Sequence, residues 1–266
     1  MIHARRSEPI MRFFDRYVAR YLRRRFHRVW CWRGFDAAEL PRDVPLLFVM
    51  SHASWWDVLV GYYLARFVVR VESYGPMDEL QLRRYRILTR LGVYSVDRFS
   101  AAGLRAFVRY TVALLSGRRA VWITPQGEIV SSWQRPIRFQ RGVGHLARRL
   151  PEVAVVPVAV HYEFREEPRP EIFVKFGPPR IFRGPRPAAS EITHALERDL
   201  ERELDALQSA LRERDLRPFA VLLDGATSTS VVYDGVRALR AWITGRRDPA
   251  RHGEVVSDPR RRIHHE

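Results

Sequence analysis

The chain has 266 residues, 46% of them apolar, which is enough for one sizeable α/β domain with a packed core and short appendages. Its single cysteine, Cys31, excludes an intramolecular disulfide and any zinc site built from several cysteines. The formal net charge of +16 predicts an anionic partner, which composition alone leaves open as lipid headgroups, nucleic acid or phosphorylated substrates.

The N-terminal segment, residues 9–32, places apolar and aromatic residues at steps of three and four between arginines. This periodicity predicts a basic amphipathic helix, lying either in the bilayer interface or on the domain with a solvated arginine face. Arg12, Arg16 and Arg20 interrupt every apolar stretch, so the segment resembles neither a signal peptide nor a spanning helix. We therefore expect a cytoplasmic protein, at most peripheral on the inner face of the cell membrane.

Beyond this segment, short apolar runs alternate with helical periodicity. Residues 45–50 are a continuous apolar run of the buried-strand type. Further strands are predicted at residues 67–74, 93–96, 120–124, 153–161 and 171–176, and helices at residues 58–66, 77–91 and 142–150, after a Ser100 cap, and after a Ser190 cap. The alternation predicts an α/β fold with a mixed, largely parallel sheet and helices on both faces, preceded by the N-terminal amphipathic helix.

Three regions follow from this pattern. Residues 1–38 are predicted to form the basic membrane-interface helix, and residues 39–217 the α/β domain. From residue 218 the pattern loosens, so that residues 218–266 are predicted to hold one more helix, at residues 231–243, and a disordered basic tail from residue 245.

The end of the first core strand carries the most informative residues. His52 and Asp57 follow the apolar run, where α/β proteins place their chemistry. A histidine can take the proton of an attacking alcohol, and a carboxylate on its other ring nitrogen fixes the tautomer and stabilises the imidazolium. Five residues on a helix would set the two side chains about 140° apart, so this pairing requires the segment to bend.

Five short motifs, in order, resemble those of the lysophospholipid and glycerol-phosphate acyltransferase family over about residues 40–180. His52 and Asp57 are similar to the family's first motif, a histidine and an aspartate separated by four residues. Residues 92–98 resemble the second motif, residues 125–128 the third, and residues 156–158 the fourth. Residues 138–147 are similar to the family's basic helix entry.

The resemblance implies an O-acyltransferase in which His52 is the general base and Asp57 orients it. It also implies an acyl donor, acyl-CoA or acyl-carrier protein, a lipid acceptor and an anionic membrane surface as partners, with no metal and no tightly bound cofactor. The candidate substrate-binding residues are Arg98, Gln126, Gly127, Glu128 and Arg135.

The third motif departs from the family pattern. Gln126 stands where the family has Glu, Glu128 where it has Thr, and Ile129 where it has Arg. The missing arginine weakens the case for a phosphate-bearing acceptor, although Arg135, Arg138 or Arg141 could replace it. A lysophospholipid such as lysophosphatidate is the favoured acceptor, as in phospholipid biosynthesis, and a neutral glycolipid or other lipid alcohol is the alternative.

Two other classes of protein are alternatives for this sequence. A basic nucleic-acid-binding protein would fit the charge, but the sequence has no helix-turn-helix signature, zinc spacing or RNA-binding aromatic motif. A hydrolase would need its own nucleophile, and there is no Gly-x-Ser-x-Gly elbow. His145 and His161 have no companion ligands at metal spacing and are predicted to be structural, whereas the Trp55–Trp56 pair is compatible with an acyl channel or with packing.

Overall fold

The computed structural model describes residues 1–225. Its helices are α1 (Glu8–Arg25), α2 (Asp57–Tyr63), α3 (Glu79–Arg84), α4 (Ala101–Ser116), α5 (Gly142–Arg149) and α6 (Ala189–Arg212). Its strands are β1 (Arg28–Trp32), β2 (Leu46–Met50), β3 (Ser73–Asp78), β4 (Val93–Val96), β5 (Ala120–Ile123), β6 (Glu152–Glu163), β7 (Glu171–Phe176), β8 (Arg180–Arg183) and β9 (Phe219–Asp224).

All nine strands belong to one sheet in the order β4-β3-β5-β2-β6-β7-β1-β9, with β8 pairing beside β6. The five pairings of β3 with β4 and β5, of β2 with β5 and β6, and of β1 with β7 are parallel. The pairings of β6 with β7 and β8, and of β1 with β9, are antiparallel. The sheet is therefore mixed and largely parallel, as predicted.

Helices cover both faces of the sheet, because the central strands are apolar on both sides. Along β2, Leu47 and Val49 pack with the helices α4, α5 and α6, while Phe48 and Met50 pack with α1 and α2. Side chains of successive strand residues point to opposite faces, so a continuous apolar run supplies two cores at once. Close packing between α5 and α6 depends on Gly144, since a Cβ there would lie 1.9 Å from the Ala189 carbonyl oxygen. The predicted α/β fold is confirmed.

The predicted N-terminal helix over residues 9–32 is too long. It ends at Arg25, and residues 28–32 form the strand β1 inside the sheet. Val29 and Trp30 of β1 are buried, so their apolar character reflects the core and only coincides with helical spacing. Helix α1 itself packs on the domain, burying one stripe of residues and leaving its arginine-rich face outward. The buried stripe is Met11, Val18 and Leu22.

Several other element boundaries differ from the predictions. A π-helical turn (Leu64–Val69) continues α2 into the predicted strand at residues 67–74. It is followed by β3, by α3 and by a 3₁₀ turn (Arg86–Leu91). Asp78 caps α3 there, accepting from the Leu80 and Gln81 amides, so the helix starts later than predicted. Ser190 lies within the first turn of α6 and Ala188 is the N-cap. Strand β9 was missed in the loosened pattern after residue 218.

The three-region division stays a prediction, although β1 and β9, which lie outside residues 39–217, belong to the same sheet as the rest. The predicted helix at residues 231–243 and the tail from residue 245 lie outside the described residues. Within residues 1–225, no helix combines the length and apolar character needed to cross a membrane.

Candidate active site

His52 lies in the bend between β2 and α2, at the carboxyl end of the central strand. The chain leaves β2 at Met50, and Asp57 is the first residue of α2. Because residues 51–56 form an irregular turn, the two side chains meet despite their spacing. His52 Nδ1 lies 2.9 Å from Asp57 Oδ2. No other residue in the described part of the chain bonds to Nε2, and the side chain is 18% exposed.

Asp57 is fully buried and is held by three donors. Its Oδ2 also accepts from the Ser54 amide at 2.8 Å, and its Oδ1 accepts from the Tyr162 hydroxyl at 2.6 Å. Its place in the first turn of α2 adds the favourable field of a helix N-terminus. Burial, together with the Asp57 charge, raises the pKa of Tyr162 well above its usual range, so the phenol stays a donor.

Sequence reasoning missed Tyr162. It lies 105 residues from Asp57, on β6, and comes close only because β6 is the parallel neighbour of β2. A tyrosine at the end of an apolar strand carries no local signal for such a contact. The motif that precedes it, at residues 156–158, gives the strand but does not point to this residue.

The loop after β5 fixes the backbone of His52. Because β5 is the other parallel neighbour of β2, its loop emerges at the same edge of the sheet. The His52 amide donates to Gln126 Oε1 at 2.8 Å, and the His52 carbonyl accepts from the Val130 amide at 2.8 Å. The carboxamide of Gln126 is thus turned towards the histidine backbone, whereas the sequence predicted a contact with substrate.

A cavity of about 1180 Å³ opens beside His52 and Asp57. Its wall is mostly apolar, with contributions from α2, β3, β4, β5, α4 and α5, and it is large enough for a lipid chain together with a polar head. Four arginines and two aspartates also line it. These residues are Arg98, Arg105, Arg141, Arg149, Asp57 and Asp78.

Arg98 and Gly127, both predicted to bind substrate, meet in the cavity wall. The Arg98 guanidinium donates to the Gly127 carbonyl and lies 3.9 Å from Asp78. Gly127 has φ +79°, a conformation that favours glycine, and this turns the loop back towards Arg98. Asp97 accepts from the Ser100 hydroxyl and the Phe99 amide, so it holds the turn before α4, whose N-cap is Ser100, and does not pair with Arg98.

The two remaining candidates lie outside this cavity. Glu128 is exposed and absent from the wall. Arg135 donates to Asp205 and Gln208 of α6 and to the Ser132 carbonyl. These contacts tie the loop before α5 to α6, so the structure does not bring Arg135 to His52. Arg141, another possible replacement for the missing third-motif arginine, does line the cavity.

The two histidines predicted to be structural and the Trp55–Trp56 pair lie in different parts of the structure. His161 is buried, shares a 2.8 Å hydrogen bond with Ser132, and burial lowers its pKa to about 4. His145 instead has an exposed side chain in the cavity wall. Trp56 packs edge-on against Phe26, and Trp55 is largely exposed, with neither ring in the wall.

Comparison with known proteins bears on the family and on the fold. Residues 36–161 match the family model described as Acyltransferase, which covers the strand, the bend with His52 and the loops that hold it. Among solved structures, the chain is similar to the 1-acyl-sn-glycerophosphate (LPA) acyltransferase PlsC from Thermotoga maritima. The TM-score is 0.55 at 16% identity, over 75% of this chain and 81% of that one, which shows a shared fold. No curated protein sequence matches the chain.

Proposed function

We propose that this chain moves a fatty acyl group from an acyl thioester to a lipid hydroxyl, because residues 36–161 match the acyltransferase family model. The observation that carries this proposal is the 2.9 Å contact of His52 Nδ1 with the buried Asp57 carboxylate. It leaves Nε2 as the acceptor of a proton beside a cavity large enough for lipid.

In the proposed reaction, His52 Nε2 removes the proton of the acceptor hydroxyl as its oxygen attacks the thioester carbonyl carbon. The new C–O bond forms, the C–S bond breaks, and the imidazolium returns the proton to the departing sulfur. Asp57 holds the imidazole in the tautomer with its proton on Nδ1 and stabilises the charge that forms on the ring. The donor is acyl-CoA or acyl-carrier protein, and no metal enters the mechanism.

The test is the substitution His52→Ala. We expect loss of acyl transfer by about 10² to 10⁴, the usual contribution of a general base, in a protein that remains folded. Asp57→Asn should also lower the rate of acyl transfer severely. The amide cannot accept hydrogen bonds from His52 and from the other donors at the same time, as the carboxylate does. Thermal unfolding checks the fold, and His194→Ala, an exposed histidine on α6, is the matched control. A folded His52→Ala enzyme that keeps more than about a tenth of its rate would overturn the proposal.

For the acceptor, we infer a lysophospholipid such as lysophosphatidate. Arg98 lines the cavity near the loop that holds His52, and a guanidinium is suited to a phosphate. The Thermotoga maritima protein of similar fold is described as acting on 1-acyl-sn-glycerophosphate, which supports the same class of acceptor here. One feature favours a neutral glycolipid or other lipid alcohol instead, since the exposed Ile129 replaces the family's arginine.

Arg98→Ala distinguishes the two acceptors. With lysophosphatidate, we expect the acceptor KM to rise about tenfold or more, since a charge-assisted contact contributes about 1.5 to 3 kcal/mol. With a monoacylglycerol acceptor the KM should not respond. Arg138→Ala is the control, because this arginine is exposed and outside the cavity wall. Equal responses of both acceptors would contradict a contact between Arg98 and the acceptor phosphate.

This activity belongs to phospholipid biosynthesis and needs a lipid surface. We place the protein peripherally on the inner face of the cell membrane, with the arginine-rich face of α1 as the contact. Anionic headgroups then account for the +16 charge without nucleic acid as a partner.

A further inference from the structure

A stripe of basic side chains runs along α5 in the wall of the cavity. Arg141, His145 and Arg149 are spaced four residues apart, so they share one face of the helix. All three are exposed and all three line the cavity that contains His52. Arg105, on α4, lines the same cavity. We call Arg105, Arg141 and Arg149 the α4–α5 cationic stripe.

The arginines of this stripe have no acidic partner within residues 1–225. Elsewhere, arginines near a carboxylate pair with it, as Arg66 does with Asp15 and Arg180 with Asp199. The two aspartates in the cavity wall are already engaged, since Asp57 holds His52 and Asp78 caps α3. The stripe therefore presents uncompensated positive charge to whatever occupies the cavity, which favours an anionic ligand.

The surface between the two helices is apolar. Leu104, Phe107 and Val108 of α4 and Val143 and Leu146 of α5 line the cavity together with the stripe. An apolar groove bordered by guanidinium groups fits a ligand that is uncharged along part of its length and carries phosphate at one end. Arginine suits such a phosphate because its planar donors can contact two oxygens at once.

The direction of α5 separates this stripe from the acceptor. The helix begins beside the loop that holds His52, where the Gln140 amide donates to the Pro125 carbonyl at 2.8 Å. Arg149 lies eight residues after Arg141, about 12 Å further along a helix. In a lysophospholipid, the phosphate is on the same glycerol as the reacting hydroxyl and stays near Arg98. A cationic stripe that extends away from His52 fits phosphate that is remote from the reacting carbonyl.

We propose that the α4–α5 cationic stripe binds the phosphate groups of the donor's phosphopantetheine carrier. This inference rests on the proposed function, because it takes the thioester to lie at His52. Coenzyme A and acyl-carrier protein both bear this phosphopantetheine arm, with its phosphate at the end distant from the thioester sulfur. Arg149 and Arg105 contact that phosphate, and the uncharged arm lies on the apolar surface between α4 and α5.

Equilibrium binding tests the proposal in the His52→Ala protein, where the donor is not consumed. The probes are dodecanoyl-CoA, dodecanoyl-acyl-carrier protein and dodecanoyl-pantetheine, of which the last lacks phosphate. We expect Arg149→Ala and Arg105→Ala each to weaken binding of a phosphate-bearing donor about three- to tenfold, as for a partly exposed charge contact. The Kd for dodecanoyl-pantetheine should stay within about twofold. Raised salt should weaken the first two donors more than the third.

Arg148→Ala is the matched control, because Arg148 lies in the same last turn of α5, is exposed, and is outside the cavity wall. The donor whose binding responds to the stripe identifies the source, CoA or carrier protein. The proposal is overturned if the binding of neither phosphate-bearing donor responds, or if the binding of dodecanoyl-pantetheine weakens equally. It is also overturned if the variants lose only vesicle binding, which would assign the stripe to lipid headgroups. Acyl transfer by the wild type is measured separately, so a wild type that binds these donors but transfers nothing contradicts the proposed function alone.

Discussion

Asp57 is a buried carboxylate whose position depends on three donors from two parts of the chain. The Ser54 amide and the His52 ring come from its own turn, and the Tyr162 hydroxyl comes from β6. A buried charge is expensive unless its hydrogen-bonding capacity is satisfied. These donors therefore satisfy the carboxylate of Asp57 and orient it towards Nδ1 of His52, which is the arrangement that the proposed mechanism needs.

Tyr162→Phe should slow catalysis without changing the fold. Removing a hydrogen bond to a charged group costs about 1.5 to 3 kcal/mol, so kcat should fall about ten- to hundredfold with little change in either KM. Measurements of kcat and of both KM values, together with thermal unfolding, check this expectation.

Tyr94→Phe is the comparison for this substitution. Tyr94 is also buried and shares a 2.8 Å hydrogen bond with Thr111, but it has no contact with Asp57. It should alter stability and leave kcat unchanged. If Tyr162→Phe lowers stability and leaves kcat unchanged, the tyrosine serves packing alone.

At the scale of single residues, the sequence predicted what lies within one turn and missed what the fold brings together. His52 and Asp57 are five residues apart, and only a bend was needed to join them. Tyr162 comes from a neighbouring strand and Arg135 is drawn away by Asp205, and no local pattern contains either contact. Gln126 stands at the expected site, yet its side chain supports the His52 backbone.

Among the elements, the predicted strands of the core were right because they are apolar on both faces. Residues 45–50 and 153–161 could only be buried segments, and both lie at the centre of the sheet as β2 and β6. The errors concentrate at the edge of the sheet. Strand β1 was merged into the helix before it, and β9, which pairs with it, has exposed residues such as Val221 that hide its pattern.

Helix α1 packs on the domain and still leaves a face that is suited to the bilayer interface. Its buried stripe packs on the domain, and Asp15 accepts from the Tyr62 hydroxyl at 2.8 Å and pairs with Arg66. Tyr62 also lines the cavity, so α1 is fixed to the cavity wall. The outward face still carries aromatic rings, with Phe13 71% exposed and Tyr17 partly exposed. Packing on the domain therefore leaves a face available for the bilayer interface.

For the whole molecule, the +16 charge and the exposed rings of α1 predict binding to anionic vesicles. Headgroup phosphates attract the arginines of the outward face, and aromatic rings suit the interface. Because α1 is joined to the cavity wall through Tyr62, such docking would bring the cavity close to the lipid that supplies the acceptor. Removing residues 1–33 would delete β1 from the sheet, so point substitutions are the sharper test.

Phe13→Ser in the full chain should weaken flotation with phosphatidylglycerol-containing vesicles by about tenfold, because a buried aromatic ring contributes about 1.5 to 3 kcal/mol when fully withdrawn from water. Binding should also weaken as salt shortens the screening length below about 8 Å. Phe164→Ser is the matched control, since Phe164 is 72% exposed but follows β6. Equal losses from the two substitutions, or none from Phe13→Ser, would place the membrane contact on a surface other than α1.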